Sequence, residues 1–391
     1  MKFMKLSLLA SMPGAIMAQN LTQLLSNTTQ LSSLNTLLSS YPTIVNSLGN
    51  ITNVTILAPS NNALSNLTDS RGLEALASTN NRSVIDLLSY HILRGEYYDS
   101  NITQTPVFIP TYLNDSVVTN VTGGQVVEAI KQDNDTYFFS GLFSNSTVTQ
   151  ANLNFTGGVL HIIDKVLSIP SNVTYSAATA GLSAVVGALR ADNLTDSVDT
   201  TPNVTVFAPE NSAFQAIGSA LGNFTTDQLT GVLDYHVING QVAYSTNLTN
   251  GTQFTAVNGR NLTVRVENGS IFVDSARVTR PNLLVANGVL HVIDNVLNPN
   301  NTSATPNATA TSQVPAFSGA SSASSIPFTS GVTASATATG SGAGAGAGVT
   351  GTSGASGTST SSAAAMPMRT GGLGAAVVVG AGAALLNADI F

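Results

Sequence analysis

The sequence predicts an α+β chain made of two tandem copies of one domain. Three observations carry the prediction. Three blocks recur in the same order, apolar residues fall at helical spacing around those blocks, and an alternating strand pattern flanks a tight-turn dipeptide. The blocks are Asn53–Leu64 against Asn203–Phe214, Leu88–Ile92 against Leu233–Val237, and Gly158–Leu167 against Gly288–Leu297. A repeat of this length is a whole domain, too long to be one unit of a solenoid. The expected boundaries are 19–169 and 172–298, with Pro170 near the joint.

Each copy opens on an amphipathic helix. Leu24, Leu25, Leu31, Leu34 and Leu38 form its apolar side in the first copy, and Leu182, Val185, Val186 and Leu189 in the second. A short buried strand then ends at Ala58-Pro59 or Ala208-Pro209, after which Asn61 and Asn211 are expected to cap the following helix or hold the turn. A second helix carries Val84, Leu87, Leu88 and His91 at i, i+3, i+4 and i+7, matched by Leu229, Val232, Leu233 and His236. Strands follow. Leu262, Val264 and Val266 alternate with polar residues, Asn268-Gly269 supplies the turn, and Ile271-Phe272-Val273 returns. A two-residue loop pairs Val266 with Ile271 and Val264 with Val273, giving one apolar face. The first copy has a looser version, Val126–Lys131 and Tyr137–Phe139 around Asp133-Asn134-Asp135. Up to Ile163 and Ile293 the closing block is apolar except for its histidine, and it reads as a buried strand.

The two ends differ from the middle. Residues 1–18 run from Lys2 and Lys5 through an apolar stretch to small residues at Ala18, the layout of a secretory signal peptide. From 299 to 365 the chain is almost wholly Ser, Thr, Ala, Gly and Pro. Such a segment buries too little apolar surface to offset its ordering entropy, so a disordered, O-glycosylated stalk is expected. Residues 366–391 join a short spacer to a glycine-rich apolar tail, the layout of a glycosylphosphatidylinositol attachment signal, with Ser359, Ser361, Ser362 and Ala363 as attachment candidates. A transmembrane helix fits less well, because the tail is short and nothing basic follows it.

Charged residues make up only 8% of the chain, the net charge is −7, and there is no cysteine. The acidic balance and the few Lys and Arg argue against nucleic acid as a partner, because phosphate neutralisation needs clustered positive charge. Without cysteine there is no disulfide scaffold, thiol nucleophile or thiolate metal site. Asn-x-Ser/Thr sequons number roughly two dozen. Asn53, Asn66, Asn81, Asn101, Asn134, Asn203, Asn223, Asn261 and Asn268 are the glycosylation candidates, and glycans would solubilise a surface that charge does not.

The blocks resemble the fasciclin (FAS1) family. Its Thr-x-Phe-Ala-Pro-x-Asn-x-Ala-Phe box stands almost complete at Thr205–Phe214 and is weaker at Thr55–Leu64, where Leu57 and Leu64 replace the phenylalanines. The Tyr-His motif occurs at Tyr90-His91 and Tyr235-His236, and the Gly-Val-Leu-His-x-Ile-Asp block closes both copies. The resemblance implies two tandem FAS1 domains, each a β-sandwich or wedge flanked by α-helices. It also implies roles in cell adhesion, matrix contact or wall organisation, and the stalk and anchor look most like fungal members. The family's partner contact has been placed at the Tyr-His region, which makes Tyr90, His91, Tyr235 and His236 the binding candidates. One departure stands out. His91 and His161 are 70 positions apart, whereas His236 and His291 are 55 apart, so the first copy holds 15 additional residues.

Three functional classes fit the sequence to different degrees. An adhesion module suits the duplication, because two weak sites on one display gain avidity. The expected partners are matrix or wall components, surface proteins of neighbouring cells, or a second copy of the chain. A structural wall glycoprotein is the alternative. An enzyme is the third and weakest, because no nucleophile, base and orienting group come together and no cofactor or metal motif is present. His91 and His236 lie on an apolar helical stripe and read more readily as buried, internally bonded groups than as bases. His161 and Asp164, like His291 and Asp294, stand at i and i+3 on a strand and so point to opposite faces, away from any common ion.

Overall fold

The computed structural model describes residues 19–332, apart from 43, 47–50, 70–80 and 303. The expected signal peptide (1–18), the attachment candidates Ser359, Ser361, Ser362 and Ala363, and the C-terminal tail lie outside the described residues.

Each domain is built on one seven-stranded sheet. In domain 1 the strands are β1 (Val54–Pro59), β2 (Ile92–Arg94), β3 (Val107–Pro110), β4 (Val126–Gln132), β5 (Asp135–Phe139), β6 (Asn145–Phe155) and β7 (Gly158–Ile163). Their spatial order is β2-β1-β7-β6-β5-β4-β3, and a bridge between Leu93 and Thr111 brings the two edges together, so the sheet nearly closes. In domain 2 the strands are β8 (Val204–Pro209), β9 (Val237–Ile238), β10 (Gln253–Thr255), β11 (Asn261–Glu267), β12 (Ser270–Val273), β13 (Ala276–Val285) and β14 (Gly288–Ile293), in the equivalent order. The class is α+β, as the sequence predicts.

The two repeated apolar blocks meet at the centre of each sheet. β1 runs parallel to β7 in the register Val54↔Gly158 to Pro59↔Ile163, and β8 parallel to β14 in the register Val204↔Gly288 to Pro209↔Ile293. All four strands are buried along their whole length, which is why they read as continuous apolar runs. The block must begin with glycine because the partner backbone is too close for a side chain. A Cβ on Gly158 would stand 2.0 Å from the Val54 carbonyl oxygen, and one on Gly288 would stand 1.9 Å from that of Val204.

Alternation along these strands feeds two cores. In domain 1, Val54, Ile56, Ala58, Leu160 and Ile162 pack under the opening helices Leu21–Asn27 and Ser32–Ser39, against Leu24, Leu31, Leu34 and Leu38. Leu57 and Ile163 join Tyr90, Ile109, Val127 and Phe138 in a separate core cluster. Domain 2 repeats both layers, with Phe207 and Tyr235 in the second.

Three local expectations are refined by the structure. The domain 2 hairpin has the predicted register, Val266↔Ile271 and Val264↔Val273. Domain 1's hairpin is as tight, pairing Gln132 with Asp135 across Asp133 and Asn134, with Asp133 at φ 53°. The second helix ends at Tyr90 and at Tyr235, so each histidine sits just past the last turn rather than within it. Asn61 and Asn211 do not cap the helix they open. Asn61 Oδ1 accepts from Ser33 N at 2.9 Å, and Asn211 Oδ1 accepts from Ala184 N at 2.9 Å. Each therefore clamps the start of the opening helix, far back in sequence, onto the end of the central strand. In domain 1 it is Ser60 whose hydroxyl receives Ala63 N.

The structure departs from composition after residue 299. Residues 304–332 lie across domain 2 as a strap: Phe317 and Phe328 pack on its helical core, Phe328 edge-on to Phe214 at 6.2 Å and Phe317 tilted on Phe224 at 5.6 Å. The strap's carbonyls are met by domain side chains. Asn295 Nδ2 donates to Val314 O at 2.8 Å, Asn298 Nδ2 to Ala316 O at 3.0 Å, and Arg277 to Ala308 O and Ala310 O at 3.1 and 2.9 Å. A Ser/Ala segment with few apolar side chains is thus ordered through its backbone and two phenylalanines. The remainder of the expected stalk, from 333, lies outside the described residues.

Candidate functional site

The Tyr-His candidates are interior. Tyr90 and Tyr235 have no exposed surface, and His91 and His236 are 4% exposed. The helix Asn81–Tyr90 delivers Tyr90 into the domain 1 core, where its hydroxyl donates to Val126 O at 2.9 Å. His91 Nδ1 donates to Leu87 O at 2.7 Å, and Nε2 accepts from Leu167 N at 3.0 Å. His236 repeats the pattern with Val232 O (2.7 Å) and Leu297 N (2.9 Å). One nitrogen donates and the other accepts, which requires neutral rings, and burial pushes both histidines down to about 4. Each ring thereby ties the last turn of a helix to the chain leaving the closing strand.

His161 and His291 use the other tautomer. Nε2 donates to Tyr97 O at 2.7 Å and to Ala243 O at 2.8 Å, while Nδ1 accepts from Asn152 N and Asn282 N, each at 3.3 Å. Those asparagines occupy bulges of β6 and β13 with φ of 62° and 63°. Burial lowers both histidines, His291 to about 4. Asp164 and Asp294 turn away from them, accepting instead from Thr147 N and Arg277 N at 2.7 Å. Among the described residues no group of three or more His, Cys, Asp or Glu is placed to hold a metal.

Sequence reasoning located the additional residues of domain 1 but not their role. His91 precedes β4 by 35 positions, where His236 precedes β11 by 25; Phe139 precedes Gly158 by 19, where Val273 precedes Gly288 by 15. Both enlarged segments build the joint between the domains. In the first, Asn120 N donates to Ala286 O at 2.7 Å, Gln125 Nε2 to Val285 O at 3.0 Å, and Thr122 N to Asn203 Oδ1 at 2.8 Å. In the second, Gly141–Phe143, the Phe143 ring joins the helical core of domain 2 with the Arg280 guanidinium 4.1 Å above it. Phe108 stacks on Tyr244 at 4.1 Å, and Asn282 Nδ2 donates to Glu128 Oε1 at 3.2 Å. Glu128 is buried, and that burial raises its carboxyl to about 8. The only signal of this in the sequence is the length difference.

The sequon asparagines sort by position. Asn53, Asn66, Asn101, Asn134, Asn223, Asn261 and Asn268 are exposed, with Asn134 and Asn268 at the two hairpin tips. Asn203 is half-buried in the joint, its Nδ2 donating to Thr122 Oγ1 at 2.8 Å. The side chain of Asn81 lies outside the described residues. Among the described residues no helix is long and apolar enough to cross a membrane.

Comparison with known proteins agrees with the duplication. The family model described as Fasciclin domain matches residues 29–170 and 180–299. A fasciclin-like arabinogalactan protein of Arthroderma benhamiae is 38% identical over 281 residues, covering 72% of this chain and 66% of that relative. The fasciclin-like arabinogalactan protein elcF of Phaeosphaeria nodorum is 29% identical over 249 residues, covering 63% of this chain and 78% of that one. A solved FAS1 domain pair from the insect cell adhesion molecule Fasciclin I aligns over 67% of this chain and 94% of that chain, at 22% identity and a TM-score of 0.33. With the family model matched twice, over the two sheets just described, the chain belongs to the fasciclin domain family.

Proposed function

We propose that the chain is a non-enzymatic, extracellular glycoprotein whose docked domain pair makes contacts of adhesion or with matrix and cell-wall material. The observation that carries this reading is the surface. It is poor in charge and studded with exposed sequons, on two domains held as one head by hydrogen bonds and ring contacts. The names of the fungal relatives, fasciclin-like arabinogalactan proteins, point the same way. Display of many such heads on a surface turns weak contacts into avidity. A lipid anchor added near Ser359–Ala363 would fix the protein to a membrane. The Tyr-His segments then serve contact indirectly, by holding the helix-to-strand corner of each domain in place. A structural wall role is the second reading, favoured by the same sequons.

The test is to display the glycosylated protein densely on beads and offer wall polysaccharides, matrix proteins and cells of the same kind. Saturable binding to proteins or cells supports adhesion. Binding to polysaccharide alone moves the reading to the wall role, and turnover of any of these materials would overturn both.

A further inference from the structure

Between the domains lies an open cleft of about 760 Å³, lined by Ser83 and Asp86 of domain 1's second helix, the loop 116–120, the linker at 169–172, and Tyr175 and Asn287 of domain 2. That is the size of a small-molecule site, about 300–1,000 Å³. Its lining mixes an aromatic ring that is 52% exposed (Tyr175), a valine that is 76% exposed (Val117), hydroxyls and the two carboxylates of Asp86 and Asp199. Asn287 is 1% exposed and its Oδ1 has no hydrogen-bond partner. Pyranose sugars present an apolar C–H face and a rim of hydroxyls, so this lining suits them better than it suits a purely apolar or a charged ligand.

Asn172 stands in the same cleft and begins the sequon Asn172-Val173-Thr174. It is exposed, and its Oδ1 accepts from Tyr175 N at 2.9 Å, leaving Nδ2 with no bond in the protein. Asn120, also in the cleft and also in a sequon, differs: its Nδ2 donates to Thr200 O at 3.0 Å across the joint. We propose that Asn172 is a glycosylation site and that the cleft seats the first sugars of its glycan, against Tyr175 and Val117. The glycan then fills the space between the domains and braces the joint. This rests on the secreted, glycosylated reading above.

The test uses the full chain purified in detergent from expressing fungal cells. Glycopeptide mass spectrometry reads occupancy at Asn172 and at the hairpin tips Asn134 and Asn268. Native protein is then treated with peptide N-glycosidase, and Tyr175 labelling by nitration is compared with that in N172D, which keeps the capping oxygen but removes the acceptor nitrogen. Expected is a glycan at Asn172 released roughly tenfold more slowly than those at the tips, because seated sugars must first leave the cleft. Tyr175 should label several-fold faster in N172D. An occupied Asn172 that is released at the tip rate, with unchanged Tyr175 labelling, overturns the seat. Occupied tips with a bare Asn172 overturn this inference alone, whereas bare sequons everywhere overturn the secreted reading itself. If Asn172 is bare and added wall oligosaccharide protects Tyr175, the saccharide comes from outside and the Asn172 assignment fails.

Discussion

The two domains share a scaffold almost residue for residue, yet each is finished in a different way. Domain 1 uses its additional residues to grip its neighbour, through Asn120, Thr122 and Gln125 in one segment and Phe143 in the other. Domain 2 has no such segments and carries the strap instead. The buried tyrosines differ as well. Tyr90 reaches only a backbone carbonyl, whereas Tyr235 bonds both Asn261 O (3.0 Å) and the buried Asp274 carboxylate (2.6 Å). Duplication preserved the central parallel strands and the four histidines, and the divergence lies at the rims. The lesson is that a repeated motif marks what holds each domain up, while the unrepeated residues mark what each domain does with its neighbours.

The largest effect expected is one that ignores the difference between the domains. His91, His236 and His291 are lowered to about 4 by burial, and His161 is lowered too, so between the unfolded value near 6.5 and about 4 the unfolded chain binds protons that the folded chain refuses. Their contribution is whole above pH 6.5 and is lost as pH falls towards 4, by up to about 3 kcal/mol for each of His91, His236 and His291. Urea unfolding at pH 7 and pH 4.5 checks this; equal stability at both would mean the rings are charged or exposed. Glu128 acts with the opposite sign at the joint. Its raised carboxyl favours the fold below the unfolded value of 4.5, and this is lost as pH rises to about 8. The variant E128Q should flatten that loss and gain roughly 2 kcal/mol at pH 8.5, read from thermal unfolding across pH 5–9.

Smaller effects separate the domains. Y235F strands one oxygen of Asp274 and should cost about 2–3 kcal/mol, whereas Y90F should cost about 1 kcal/mol. Paired denaturation curves test the ordering, and equal losses would erase the distinction. The smallest effect on global stability comes from G187V. A Cβ at Gly187 would stand 1.7 Å from Phe328 O, and the equivalent place in domain 1 is held by Thr36. The variant should free the strap for proteolysis within 304–332 while both domains stay folded.

Much of the fold was legible because its signals are local. The Asn268-Gly269 turn and flanking alternation set the hairpin register, and the apolar stripe on which His91 and His236 sit indicated their burial. What could not be read depends on partners distant in sequence. Asn61 sits where a cap belongs, but its acceptor serves Ser33 rather than the helix it begins. The strap looked like stalk because composition registers side chains, and this segment is held by its carbonyls and by a glycine on the surface beneath it. For the candidate site, the Tyr-His motif and the apolar stripe beneath its histidines are local signals, whereas the cleft leaves no local signal, because five separate stretches of chain line it.

The central strands have a mechanical consequence. In each domain the first and last strands of the sheet lie side by side and parallel over six register pairs. When tension travelling along the chain reaches them, it enters at the start of one strand and leaves at the end of the other. The pair is then sheared, and its hydrogen bonds share the load at once instead of parting one by one. Rupture under force follows the unfolding barrier rather than the equilibrium stability, so a domain of ordinary thermodynamic stability can still be hard to pull open.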